Sequence, residues 1–298
     1  MKNYFEYRGK VVTLMLCSSC NINCEHCYIS FGGNRTVKEL TSLIPLLLEK
    51  GYRVDLNGAE VLTNPAYLQF YKMTHNTELM TNGLAIYQNP DLLKLIKENG
   101  ITTIAISYHF ELHNVISKVP KEIILKVIHL CLESGLKVLI NTTISNTNFT
   151  NIERMCEEAI SIGATAIRFT NFLKQGNVLK NSIEEYALSR DEVNLFFEQL
   201  NRMRKKYNSE TLYIHRSGLF DVDLCNRNSH FVCTAGWDDV TITPDNMVYP
   251  CIFLAKKGFE IGKFEDGIIK IQQCFHNNGQ HCCASQILNR DENIFYES

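Results

Sequence analysis

From residue 10 to about 206, apolar positions recur with two different periods. Short runs rich in β-branched residues alternate or are apolar throughout, as strands do. Longer runs repeat every three to four residues, as amphipathic helices do. VVTLMLC (11–17), YRVDLNG (52–58), TELMTNG (77–83), ITTIAISY (101–108), LKVLINTTIS (136–145) and TAIRFTNF (165–172) read as strands. Between and after them, TVKELTSLIPLLLEK (36–50), NPAYLQFYKM (64–73), NPDLLKLIKENG (89–100), PKEIILKVIHLCLESG (120–135), NFTNIERMCEEAISIG (148–163) and SRDEVNLFFEQLNRMRKKY (189–207) read as helices. Asn or Ser caps, proline near the first turn and glycine past the last mark their ends. Six strand–helix units in series predict parallel strands joined by right-handed crossovers. Six are too few for a closed eight-fold barrel. The expected fold is therefore α/β, a partial (β/α)6 TIM-like barrel, with chemistry at the C-terminal ends of the strands.

Beyond residue 210 the pattern breaks into shorter β-like pieces, TLYIH, DVTITPDNMVYPC and FEIGKF, interrupted by turns and cysteines. Two domains are expected, 1–209 and a small α+β domain over 210–298. The Pro244–Asp245–Asn246 turn can join antiparallel strands, with Asn246 in the left-handed position.

Composition narrows the function classes. The 298 residues are 45% hydrophobic, enough for a sizeable core. With 30 basic and 32 acidic residues, the net charge of −2 gives no electrostatic footprint for nucleic acid or an anionic membrane. Apolar runs such as LIPLLL (43–48) are too short to span a bilayer, and MKNYFEYRGK has no signal-peptide core. A cytoplasmic location is expected. There, twelve cysteines argue for metal or catalytic chemistry over a disulfide framework. Four fall at 17–27 and six at 225–283; Cys131 and Cys156 sit in helical apolar patterns as core thiols.

CSSCNINCEHC carries Cys17, Cys20, Cys24 and Cys27, the last three spaced C-x3-C-x2-C. The residues alone allow three readings: structural zinc, a fully ligated electron-transfer cluster, or a three-cysteine iron–sulfur cluster with one open iron. Structural zinc usually joins two separated knuckles, whereas these thiols share one loop. His26 is an aromatic neighbour just before the last cysteine.

This spacing after the first strand of a (β/α)6 pattern resembles the radical S-adenosylmethionine (SAM) enzymes. The resemblance covers the first two thirds of the chain. It implies a [4Fe–4S] cluster on Cys20, Cys24 and Cys27, with SAM on the open iron. It further implies one-electron cleavage of SAM to a 5′-deoxyadenosyl radical that abstracts hydrogen from an unactivated carbon; the hard chemistry belongs to the cofactor. Cys17 falls outside the spacing and reads as a core or supporting thiol. NGAEVLTNP (57–65) is similar to the family's Gly-Gly-Glu segment, keeping Gly58, Glu60, Asn64 and Pro65 but departing at Asn57, Ala59 and Val61. Glu60 would accept a hydrogen bond from the SAM ammonium. Ser107, Asn141, Thr143 and Arg168 stand near strand ends where the family holds the SAM carboxylate and ribose; an internal hydrogen bond, or for Arg168 a structural ion pair, is the plainer reading. His109, Glu111 and His113 in SYHFELH suggest a substrate-facing or solvated loop more than a metal site.

CTAGWDDVTITPDNMVYPC, from Cys233 to Cys251, places a thiol at each end of an expected hairpin. It resembles the SPASM or shorter twitch module of radical SAM enzymes, with Asn246 where a glycine is usual. That implies one auxiliary [4Fe–4S] cluster, its remaining ligands drawn from Cys274, Cys282 and Cys283. Zinc in the same ligands is the alternative, kept open by His276 and His281. Cys225 is left over, a weak candidate for a hydrogen-atom donor.

The resemblance points to an oxidoreductase that matures a ribosomally made peptide by crosslink, thioether or epimerisation. Implied partners are the peptide, a separate leader-binding protein, and a ferredoxin or flavodoxin electron donor, with no nucleic acid and no membrane. A small-molecule radical SAM dehydrogenase and a non-catalytic iron–sulfur or zinc protein are the alternatives.

Overall fold

The computed structural model describes residues 5–216 and 233–272. Their strands are β1 (Phe5–Glu6), β2 (Val11–Met15), β3 (Arg53–Asn57), β4 (Glu78–Thr81), β5 (Thr103–Ser107), β6 (Lys137–Ile144), β7 (Ala166–Asn171), β8 (Tyr213–Arg216), β9 (Asp239–Ile242), β10 (Met247–Tyr249), β11 (Gly262–Glu265) and β12 (Ile268–Ile271). They form two sheets, and the chain divides into two compact units.

The first unit comprises 1–20, 29–76 and 230–298 as far as these are described. Its sheet runs β1-β12-β11-β10-β9-β2-β3. β2 pairs in parallel with β3 on one side and with β9 on the other. β9 to β12 form an antiparallel meander, and β1 closes the sheet antiparallel to β12. The boundary expected near 210 is thus no break in this sheet, because β9 extends the parallel ladder of β2. A hairpin pattern shows that two strands pair. It does not show which third strand completes the ladder.

The helix Val37–Glu49 follows β2 with a capping box: the Thr36 hydroxyl accepts from the Glu39 backbone N–H, and the Glu39 carboxylate accepts from that of Thr36. Leu40, Leu43, Ile44 and Leu47 recur at helical spacing and are its buried face. NPAYLQFYKM is a 3-10 turn over Pro65–Leu68 running into a short helix, Gln69–Thr74.

The second unit comprises 21–28 and 77–229 as far as described. β4 to β8 form a wholly parallel sheet in chain order. β8 comes from the TLYIH segment, which the sequence pattern assigned to the second domain. Leu92–Glu98, Lys121–Glu133, Ile152–Ser161 and Arg190–Lys206 are the connecting helices, the last opened by a Ser189–Glu192 capping box. A further short helix, Leu84–Gln88, begins after Gly83. Cys131 and Cys156 are fully buried on their helices. Across the sheet, Ala105, Leu139 and Ala166 form an apolar layer with Met80 against it. Among the described residues, no helix is long and apolar enough to cross a membrane.

Candidate active site

In the first unit, the chain leaving β2 is held by the loop after β3. The Leu16 N–H donates to the Asn57 carbonyl at 2.7 Å, Ala59 N–H to Cys17 O at 2.9 Å and Glu60 N–H to Ser19 O at 3.2 Å. Cys17 is buried, and its thiol lies 3.6 Å from the Glu60 carbonyl. Burial pushes that thiol's pKa up. A Cβ on Gly58 would sit 2.9 Å from the Cys17 sulfur, so the glycine is what lets these two loops meet. Cys20 is exposed. Just before it, the Asn34 side chain accepts from the N–H groups of Ser18 and Ser19 at 3.1 Å each and donates to the Ser19 hydroxyl at 2.7 Å.

Glu60 is 1% exposed. Its carboxylate accepts from the Leu62 N–H at 3.2 Å, capping the 3-10 turn Val61–Thr63, and Asn64 caps the next turn. The departures from the family pattern around it therefore fall in a locally ordered βα loop.

Cys24 and Cys27 belong to the second unit. Burial raises the pKa of Cys24, and the neighbouring Cys27 raises it further. The segment has no regular secondary structure and is held from two sides. On one, Ile116 O accepts from the Glu25 N–H at 3.0 Å and from His26 Nδ1 at 3.1 Å, and Lys118 pairs with Glu25. On the other, the chain following β7 donates to the carbonyls of Cys24, Cys27 and Tyr28.

His109 and His113 correct a sequence expectation. They are 2% and 0% exposed, so neither histidine is solvated, whereas Glu111 between them is exposed and pairs with Arg154. His113 Nε2 donates to Val119 O at 2.8 Å, and its Nδ1 accepts from the His109 backbone N–H at 3.2 Å. His109 Nδ1 accepts from the Thr143 N–H at 3.1 Å. These partners fix a neutral tautomer on each ring. His109 meets His26 edge-on at 4.7 Å between centroids and stacks on His113 at 5.5 Å. Burial lowers the pKa of His26 and of His113 to about 4, and holds that of His109 well below its ordinary value. Phe110 between them takes a φ of 52°, a left-handed conformation that a non-glycine residue adopts only under tertiary constraint.

The sheet brings Ser107, Asn141 and Arg168 into one row, as successive partners across β5, β6 and β7. Thr143 pairs with Thr170 two residues on, and Thr170 Oγ1 lies 3.4 Å from Asn141 Oδ1. Arg168 donates to both carboxylate oxygens of Glu78 at 2.9 and 3.0 Å, the ion-pair arrangement.

In the first unit, Cys233 and Cys251 flank the β9–β10 hairpin. Burial, then the neighbouring Cys233, pushes the Cys251 thiol up to about 12. Asp239 is raised to about 7 by burial and by the Asp55 carboxylate. Asn246 adopts the expected left-handed conformation, φ 65°. Cys225, Cys274, Cys282 and Cys283 lie outside the described residues, as do His276 and His281.

No family model matches the chain. It is 23% identical over 264 residues to AlbA, the antilisterial bacteriocin subtilosin biosynthesis protein of Bacillus subtilis, covering 84% of this chain and 56% of AlbA. Streptococcus suis SuiB bound to its precursor peptide SuiA superposes with a TM-score of 0.66 at 14% identity, over 86% of this chain and 62% of SuiB. The enzyme anSMEcpe with bound AdoMet and a peptide gives 0.64 at 17%, over 86% and 78%. The chain shares the fold of these two solved structures. It spans a little over half the length of AlbA and under two thirds of SuiB. The partial-barrel expectation thus agrees with the architecture.

Within this fold, soft cysteine thiols are the donor type that an iron–sulfur group takes, and among the described residues no three His, Cys, Asp or Glu side chains are gathered as a metal set. Cys24 and Cys27 carry soft thiols close enough to sense each other's charge, on a loop whose backbone is fixed by neighbours. The reading by sequence missed His109 and His113 as supports of that loop, and also Gly176, Asn177 and Arg35. The signals were slight: a glycine after the sixth expected strand, and a lone arginine between a motif and a helix cap.

Proposed function

We propose that this chain is a radical SAM enzyme acting on a ribosomally made peptide. The observation that carries this is a C-x3-C-x2-C loop after β2 of a radical SAM fold. Cys20, Cys24 and Cys27 hold a [4Fe–4S] cluster. Bound there, the cluster and SAM supply a 5′-deoxyadenosyl radical that takes hydrogen from an unactivated C–H bond. Glu60, buried and fixed by its cap, presents a carboxylate to the SAM ammonium, and Gly58 leaves room for the backbone beside it. Ser107, Asn141 and Thr143 offer polar groups near the ends of β5 and β6. Arg168, paired with Glu78, sets the charge of that row rather than offering an unengaged cation.

The peptide class rests on likeness: the two solved structures named above contain peptides, and AlbA is a bacteriocin biosynthesis protein. An auxiliary [4Fe–4S] cluster on Cys233 and Cys251, completed from Cys274, Cys282 and Cys283, is supported by the placement of the first two thiols at either end of the β9–β10 hairpin. A ferredoxin or flavodoxin supplies the electron, a separate protein presents the leader, and the reaction is cytoplasmic.

The test is anaerobic reconstitution followed by dithionite reduction with SAM. Formation of 5′-deoxyadenosine is expected, and its absence overturns the reading. Replacing Cys20, Cys24 and Cys27 by alanine abolishes it. Iron falls from about eight to about four per chain if both clusters are present. A peptide product is read by mass: a shift of about −2 Da marks a crosslink or oxidation, and deuterium uptake without a shift in water marks epimerisation.

A further inference from the structure

The segment after β7 touches the cysteine loop through its backbone and through an amide side chain. Asn177 donates its backbone N–H to the Cys27 carbonyl at 2.8 Å. Its Nδ2 donates to the Cys24 carbonyl at 2.8 Å and to Asn23 Oδ1 at 2.7 Å. One residue thus grips the peptide groups of two proposed iron ligands. Gln175, 1% exposed, donates Nε2 to the Tyr28 carbonyl at 2.9 Å. Gly176 has φ 62° and ψ −124°, a conformation open to glycine and little else. A Cβ there would lie 2.3 Å from the Cys27 carbonyl oxygen. The backbone therefore approaches the cysteine loop as closely as a chain can, and only glycine permits it.

The loop itself supplies little of this order. Its one internal backbone bond described is Cys27 N–H to Cys24 O at 3.3 Å, and that carbonyl is the one Asn177 Nδ2 also holds. A four-residue turn with one long hydrogen bond leaves the direction of its two thiols to outside contacts.

We infer that Asn177 is a positioning residue for the iron site, with Gly176 allowing its approach. Asn177 fixes the peptide planes of Cys24 and Cys27 so that both thiols meet the same cluster. It touches neither SAM nor substrate. This rests on the proposed reading of Cys20, Cys24 and Cys27 as cluster ligands.

The test uses reconstituted full-length protein and the variants N177D and N177A. Asn177→Asp keeps the shape but replaces the donor amide with an acceptor facing the Cys24 carbonyl and Asn23 Oδ1. The readouts are the rate at which an iron chelator strips the cluster and the EPR spectrum of the reduced cluster with and without SAM. N177D should lose iron from this site about ten-fold faster than the wild type, as loss of two hydrogen bonds implies. Its reduced-cluster spectrum should broaden or shift, and N177A should fall between the two. Circular dichroism checks the fold. If N177D unfolds, N177A carries the same comparison at lower cost, since it adds no charge. Wild-type stripping rate and spectrum in a folded N177D overturn the inference. If wild-type protein shows no cluster dependent on Cys20, Cys24 and Cys27, the underlying reading has failed instead.

Discussion

The two cysteine-bearing regions are built on opposite principles. The Cys24–Cys27 loop has no ladder of its own and takes its shape from residues 116–118 and 175–177, about ninety and one hundred and fifty positions away. The hairpin between Cys233 and Cys251 is shaped by its own sequence. β9 and β10 pair directly, Asp245 accepts from the Thr243 hydroxyl at 2.6 Å, and Asn246 supplies the left-handed turn residue. A loop specified from a distance is adjustable by changes elsewhere in its unit. A hairpin specified locally keeps its form when its surroundings vary.

The sharpest way to break that contrast is Gly176→Ala. The added methyl collides with the Cys27 carbonyl and the backbone φ is disfavoured. A loss of about 3 kcal/mol is expected, seen as a lower urea midpoint with selective loss of iron dependent on Cys20, Cys24 and Cys27. Unchanged iron would mean the loop orders itself.

Arg35→Met tests the other side. Arg35 is buried and donates to Thr243 O at 2.5 Å and to Asn246 Oδ1 at 3.0 Å. Removing it takes charge-assisted hydrogen bonds from Thr243 O, which keeps the Asn246 N–H at 2.9 Å, and from Asn246 Oδ1, at about 2 kcal/mol. Iron dependent on Cys233 and Cys251 should nevertheless persist, because the ladder remains. If that iron is lost along with stability, the hairpin too is held from outside.

Acid discriminates next. His113 is held neutral, its folded pKa about 4 against an ordinary 6.5. The unfolded chain takes up the proton first as pH falls, so stability declines below about 6.5 and levels off near 4. One such histidine contributes up to about 1.4 kcal/mol per pH unit in that window. His113→Gln should flatten the decline measured by urea unfolding between pH 7 and 5. His26 and His109 leave a residual slope of the same sign.

The smallest effect belongs to the turn. Asn246→Ala keeps a Cβ in left-handed backbone but loses the amide that favours this conformation and accepts from Arg35, and should cost about 1 kcal/mol, whereas Asn246→Gly relieves the strain and loses only the contact to Arg35. Equal melting temperatures for the two would argue that the turn is not setting the hairpin.

The same contrast explains what could be read in advance. Periodicity and caps located the six strands and their main helices within a few residues, because each signal is local: Thr36 with Glu39, Ser189 with Glu192, Gly100 and Gly135 past the helix ends. The hairpin turn was legible at Asn246 for the same reason. Partners were not. Nothing near Tyr213 says that its strand continues the parallel sheet, and nothing near Asp239 says that its strand lies beside β2. SYHFELH looks polar, and its two histidines are buried where Val119, Thr143 and His26 converge on them. Asn177 carried no signal at all, because an asparagine after a glycine reads as an ordinary loop.

Arg35 also sets the rules for modular exchange. A graft of residues 233–251 from a related chain would bring a carbonyl equivalent to that of Thr243 whatever residue stood there, since every peptide has one. The side-chain amide of Asn246 comes only with asparagine. A donor hairpin with glycine at that turn would leave the guanidinium one partner short inside the recipient. The arginine and the turn residue are therefore a single unit of inheritance, although 211 positions separate them.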